Sequence, residues 1–369
     1  MEKFDNIRPY SPEDIPAAMQ RIADSEIIPA IVNYLMPGTD VEFFRERLRK
    51  IKTTYEFQIG IISDCIDIIL KKTTSQFVWT GIENIREDKP YLYISNHRDI
   101  VLDAMLLQYL LLKENHRTCQ ITFGSNLMQH PFIVDFGKVN KMFKIERGGN
   151  RKDFYNNLTL ISEYIRYSIT EKQESVWIAQ RNGRTKDGLD ITDPAIIKMF
   201  WSSRRDDKIL SLAEMNITPI TVSYEWEPCD KLKTLELYHT KINGEYKKAP
   251  GEDINSILTG IKQPKGKVNF HIGKPLTEDV LRHIDSLKGN FFSNIAEHID
   301  KQINSNYAIN PNNYIAHDIR SGETKYACHY TDEQKNQFVQ YMNWIDEYKD
   351  LDRKLLREIF LDIYANCIR

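Results

Sequence analysis

The amino-acid sequence predicts an α/β fold: a mixed sheet flanked by helices, with further helical segments added at the N- and C-terminal ends. Three observations predict it. Short runs rich in aromatic and β-branched residues recur between residues 75 and 272, stretches with an apolar period of 3.6 alternate with them, and outside that region only the helical period is found. The expected division is a helical segment over 1–74, an α/β domain over 75–275 and a second helical segment over 276–369.

In chain order, residues 1–72 read as helical, with Thr39-x-x-Glu42 as a capping box and Tyr55, Ile59, Ile62, Ile66 and Ile69 at helical spacing. Phe77-Val78-Trp79 and Tyr91-Leu92-Tyr93-Ile94 read as strands, 99–113 as a helix and Gln120-Ile121-Thr122-Phe123 as a strand, which is β–α–β order. A helix is expected over 153–170, where Phe154, Leu158, Ile161 and Ile165 share a face, then a buried strand at Ser175-Val176-Trp177-Ile178-Ala179. The polar run 180–192 reads as a loop. Asp193-Pro194 supplies an N-cap with proline at the first helical position. Pro219-Ile220-Thr221-Val222-Ser223-Tyr224 is a further strand, 225–266 is charged and turn-rich, and Val268-Asn269-Phe270-His271-Ile272 reads as a returning strand. The end is helical: Thr331-x-x-Gln334 opens a stripe of Phe338, Tyr341 and Ile345, continued by Leu355, Ile359 and Ile363.

A chain of 369 residues, 41% of them hydrophobic, has enough apolar surface for a large core. Its net charge of −2 argues against nucleic acid as a partner. Cys65, Cys119, Cys229, Cys328 and Cys367 lie far apart with no Cys-x-x-Cys, so they read as reduced thiols of a cytoplasmic protein, and no metal site is expected. The longest apolar runs, 59–70 and 102–112, are short and are broken by Asp64 and Asp67 or by Asp103 and Gln108. A membrane would therefore be met from one side only.

The stretch "ISNHRDIVLDA" (94–104) puts Asp103 into a helix whose neighbours, Leu102, Ala104, Met105, Leu106 and Leu107, are apolar all round. A carboxylate buried there costs several kcal/mol unless it is paired. His97, just ahead of the helix, is within reach: a carboxylate on one ring nitrogen orients the imidazole and leaves the other nitrogen free as a base. Asp99, expected to cap the helix while solvated, is the other acid that could pair with it.

Three more stretches stand with this one in a familiar order. "SNHRDIVLD", "FKIERG" (143–148), "IAQRNGRTKDG" (178–188) and "ITPITV" (217–222) resemble the four blocks of the glycerol-3-phosphate and 1-acylglycerol-3-phosphate acyltransferases, the glycerolipid acyltransferase family. "SNLMQHPF" between the first two blocks and "VNFHIGKPL" after the fourth extend the resemblance over roughly residues 75 to 275. Two departures stand out. Five residues rather than four separate His97 from Asp103, and the third block has Arg181 or Asn182 where the family usually has glutamate.

The resemblance implies transfer of a fatty acyl group from a thioester to the hydroxyl of a lysophospholipid, with His97 as base and Asp103 or Asp99 as its partner. It implies acyl-CoA or acyl-carrier protein as co-substrate and no cofactor besides, with a lipid acceptor at a membrane surface as the other partner and hence a peripheral association with the inner face of the membrane. Acceptor-binding residues carried over from the blocks are Asn96, Arg98, Arg147, Gly183, Arg184, Thr185 and Lys186. Between 141 and 188, ten Lys or Arg outnumber six Asp or Glu, a local basic surface suited to phosphate. Leu102, Met105, Leu106 and Tyr109 could line an acyl slot, with core packing the plainer role for them and for Trp177. Arg166 reads as part of a solvated helix face. The alternatives are acyl transfer to another lipid hydroxyl, such as that of an N-acyl amino-acid lipid, and a non-catalytic lipid-binding protein.

Overall fold

The strand-like runs pair into one sheet. The computed structural model describes residues 2–128, 130–146 and 151–368. Its seven strands are β1 (Thr74–Thr80), β2 (Leu92–Ser95), β3 (Gln120–Gly124), β4 (Met142–Ile145), β5 (Val176–Ala179), β6 (Ile217–Tyr224) and β7 (Gly266–Ile272). They lie in the order β1-β7-β6-β2-β5-β3-β4. From β6 to β4 every pair is parallel, whereas β7 runs antiparallel to β6 and parallel to β1. The sheet is thus mixed and helix-flanked, as expected.

Strands covered on both faces are apolar at successive positions. Tyr93 and Trp177 face one core, which also holds the helix Leu102–Lys113 and apolar residues from Ile15 to Ile69. Leu92, Ile94, Val176 and Ile178 face the other, with helices from Arg151–Thr170 to Phe291–Ser305. The N-terminal helices explain why the Leu102–Lys113 helix is apolar all round: the sheet lies on one side of it and those helices share its core on the other. A third cluster joins Pro311–Ser321, Asp332–Met342 and Arg353–Ala365 to Tyr238.

Several local expectations change. The cap near residue 39 is Asp40, which accepts from the Glu42 N–H, and the capping box of this region is Thr53 with Glu56. Residues 225–266 are largely helical, with helices Asp230–Asn243 and Glu252–Lys262. Their inward faces carry Asp230, Lys233 and Thr234, or Ser256 and Gly260, so no apolar period marks them. The helix expected over 99–113 begins at Leu102.

Candidate active site

The site forms where parallel strands end, the usual position for ligands in open α/β sheets. A cleft of about 280 Å³ is bounded by His97 after β2, Phe123 and Gly124 at the end of β3, Ile145 of β4, and Trp177 and Ala179 of β5. Asn182, Gly183, Arg184 and Lys186 from the loop after β5 line it too, as do Lys248 and Asp253.

The turn after β2 sets His97. Asn96 is fully buried, and its amide exchanges bonds with the Val222 backbone of β6 (Nδ2 to O 2.9 Å, N to Oδ1 2.8 Å) while Nδ2 also donates to Asp190 at 2.9 Å. The His97 carbonyl accepts from the Thr185 N–H at 2.7 Å, and its ring meets Trp177 edge-on at 5.5 Å. Held on both sides, the imidazole places Nδ1 2.9 Å from Asp103 Oδ2. A carboxylate only accepts, so Nδ1 carries the proton and Nε2 presents its lone pair.

The fully buried Asp103 is satisfied at both oxygens. Oδ2 also accepts from the N–H groups of Arg98 (2.6 Å) and Asp99 (2.9 Å), and Oδ1 from the Tyr224 hydroxyl (2.7 Å). It lies in the first helical turn rather than one turn deeper, where the helix dipole favours a negative charge. The fifth intervening residue is absorbed in the turn ahead of the helix. Asp99 caps that turn: Oδ1 accepts from Val101 and Leu102 (2.9 and 2.8 Å), so its carboxylate is not the one on His97. Nor is Asp99 solvated, because Gly260 of the Glu252–Lys262 helix packs against its other oxygen.

Arg98 and Asn96, carried over as acceptor-binding residues, do not reach the cleft. The Arg98 guanidinium is buried and bonded to Asp190 (2.6 Å) and Glu227 (3.1 Å), with Tyr307 stacked at 5.0 Å. Lys233, also buried, bonds Glu227 at 2.6 Å and the Arg98 carbonyl at 2.7 Å, so two cations meet two carboxylates. Burial opposes the Arg98 charge, yet the adjoining Asp190, Tyr307 and Glu227 raise its pKa further above the ordinary arginine value. Burial likewise pushes the Asp190 carboxyl up, but Arg98, Thr185 and Asn96 outweigh it and hold it below the usual carboxylate range. Thr185, also buried, donates to Asp190 at 2.7 Å. These residues brace the loop after β5 against the His97 turn.

Arg184 and Lys186 do line the cleft. Arg184 is 8% exposed and one of its terminal nitrogens is buried without a hydrogen-bond partner among the described residues, whereas Lys186 is paired with Glu236. Gly183 adopts φ +79° facing open space, as a ligand-lining turn requires; Gly188, φ +78°, lies instead against the carbonyl of Ile363 in the C-terminal helix. Arg147 lies outside the described residues. The basic surface expected over 141–188 is largely neutralised among the described residues: Lys141 and Lys172 pair with Glu174, Lys144 with Glu146 and Arg181 with Asp187. Arg166 is no solvated face, being tied to Glu214 and to the Phe200 and Ser211 carbonyls. The apolar wall of the cleft is Ile100, Phe123, Leu127, Ile145 and Trp177; Leu102, Met105, Leu106 and Tyr109 are core.

Tyr224, Glu227, Lys233, Asn126, Lys248 and Asp253 escape the sequence reading. Each meets the site from a distant part of the chain; Asn126 lies within the quoted SNLMQHPF stretch but carries no role there, and the others lie outside the quoted blocks. The proline-containing fourth block was the available signal for Tyr224, two residues beyond it.

Residues 76–188 match the family model described as Acyltransferase. No curated protein matches the chain. Among solved structures, the 1-acyl-sn-glycerophosphate (LPA) acyltransferase PlsC from Thermotoga maritima is similar at 13% identity and a TM-score of 0.39, over 82% of this chain and 95% of that one. The family model spans the first three blocks, so residues 76–188, which carry His97 and the loop after β5 that line the cleft, are similar to the Acyltransferase family.

Proposed function

We propose that this acyltransferase moves a fatty acyl group from acyl-CoA or acyl-carrier protein to the free hydroxyl of a 1-acylglycerol-3-phosphate-like lysophospholipid at the cytoplasmic membrane face. The observation that carries the reading is the His97 Nδ1–Asp103 Oδ2 bond of 2.9 Å beside a cleft lined by both apolar and charged side chains. Nε2 takes the proton of the acceptor hydroxyl as that oxygen attacks the thioester carbonyl. The tetrahedral centre then expels the thiolate, which recovers the proton from Nε2. One ester replaces one thioester, and the imidazole ends neutral. Asp103 stays ionised throughout, stabilising the transient imidazolium; base catalysis of this kind contributes roughly 10² to 10⁴-fold.

The apolar lining suits an acyl chain, and the Arg184 nitrogen that has no hydrogen-bond partner among the described residues suits a phosphate oxygen. No helix among the described residues is long and apolar enough to cross a membrane, so the proposed meeting with lipid is at one face. The test is thiol release from acyl-CoA and acyl-carrier protein with lysophosphatidate, with an N-acyl amino-acid lipid, and without acceptor, the lipid product being identified by mass. Acceptor-dependent release with lysophosphatidate supports the proposal, and Arg184→Ala is expected to raise KM for that acceptor. Release only with the other lipid reassigns the acceptor, and no release from a folded protein favours lipid binding without turnover.

A further inference from the structure

The cleft that Arg184 lines also holds an anion. Asp253, at the start of the helix Glu252–Lys262, lines the cleft with Arg184. Its Oδ1 accepts from Lys248 Nζ at 2.6 Å and its Oδ2 from Asn126 Nδ2 at 2.9 Å. The second bond joins that helix to the segment after β3, both of which border the cleft. In the same cleft, Asn126 Oδ1 and an Arg184 terminal nitrogen are buried without partners among the described residues. A buried acceptor and a buried donor left unsatisfied are each costly. A ligand offering a hydroxyl and an anionic oxygen satisfies both.

Resting on the reading given under Proposed function, we infer that Asp253 and Lys248 determine acceptor specificity: Asp253 holds the place of the acceptor phosphate, and Lys248 exchanges Asp253 for that phosphate on binding. Burial pushes the Asp253 carboxyl up, but Lys248, Asn126 and the Arg184 charge outweigh it and keep the group below the usual carboxylate range, so it is an anion at neutral pH. A dianionic headgroup entering beside Arg184 meets like charge until Asp253 is displaced. The exchange is a side-chain event. Tyr246 Oη and the Ala249 N–H both bond the Glu252 carboxylate at 2.8 Å, which fastens the segment carrying Lys248 to the helix start. Lys248 itself is partly exposed, on a flexible stem with three donors.

The experiment compares two acceptors by thiol release, a phosphorylated one (lysophosphatidate) and its unphosphorylated counterpart (monoacylglycerol). The ratio of the first KM to the second is taken for wild type, Asp253→Asn and Lys248→Gln. Asn at 253 still accepts a hydrogen bond but carries no charge, so the ratio is expected to fall about three- to tenfold; Lys248→Gln is expected to raise it by a similar factor. A ratio that is unchanged or raised in Asp253→Asn overturns the inference. If wild type releases thiol with neither acceptor, the functional reading fails instead. Specificity is then read from the melting-temperature shift given by glycerol 3-phosphate against glycerol, a phosphate-specific shift larger in Asp253→Asn than in wild type being expected. No increase overturns the inference by that route too.

Discussion

Replacing Asp103 by Asn removes one charge while leaving the side-chain shape. The orientation of the amide follows from its neighbours. Three donors converge on Oδ2, namely His97 Nδ1 and the N–H groups of Arg98 and Asp99, so the amide oxygen must stay there. The NH₂ then falls at the Oδ1 position, where Tyr224 can turn its hydroxyl to accept. Every bond survives in weakened form, and the fold should lose no more than about 2 kcal/mol. What is lost is the anion beside the imidazolium. With the centre of positive charge about 4 Å away and an effective dielectric of about 20, that attraction is worth about 4 kcal/mol, or about 10³-fold in rate. Asp103→Asn is therefore expected to unfold near the wild-type denaturant midpoint, yet to release thiol about a thousandfold more slowly, close to His97→Ala. Asp99→Asn keeps the oxygen that caps Val101 and Leu102 and should retain most of the rate. The reasoning is refuted if Asp103→Asn keeps more than a tenth of wild-type kcat, or if Asp99→Asn is the variant that abolishes release.

Arg98→Met strands the Asp190 charge in the interior and should destabilise the protein by about 3–5 kcal/mol in urea unfolding; a loss under about 1 kcal/mol would show that the buried network contributes little. Gly188→Ala adds a Cβ that would stand 2.4 Å from the Ile363 carbonyl oxygen, whereas Gly183→Ala meets only the left-handed backbone penalty of about 1–2 kcal/mol, so the first should melt well below the second. Lys265, its pKa lowered to about 8 mainly by burial, is bonded to Thr73 and to the Ile261 and Gln263 carbonyls. Its folded pKa lies below the unfolded value, so between about pH 8 and 10.5 the unfolded chain binds more protons and stability rises with pH through this group. Wild type should accordingly gain up to about 2 kcal/mol on Lys265→Met between pH 8 and 9.5, and a constant difference would exclude the linkage.

What the sequence determined by itself was the α/β alternation and the strands that carry it, because burial on one or both faces writes a period into neighbouring residues: Tyr91-Leu92-Tyr93-Ile94 is apolar throughout since both faces of β2 are covered. It also determined that Asp103 required a partner, since a carboxylate among leucines has no other means of remaining charged. Tertiary structure decided which partners. The turn over residues 98–101 absorbs the additional residue and sets Asp103, not Asp99, on His97. Arg98 became a buried brace once Asp190, Glu227 and Lys233 arrived from stretches 92 to 135 positions away. The helices Asp230–Asn243 and Glu252–Lys262 escaped notice because they bury charged and small residues, whose fit is specified by Asp99, Arg98 and Tyr364 on other elements. A periodic signal is local because a helix or strand repeats its own burial, whereas a charge pair depends on a side chain whose position along the chain is unrelated to its own.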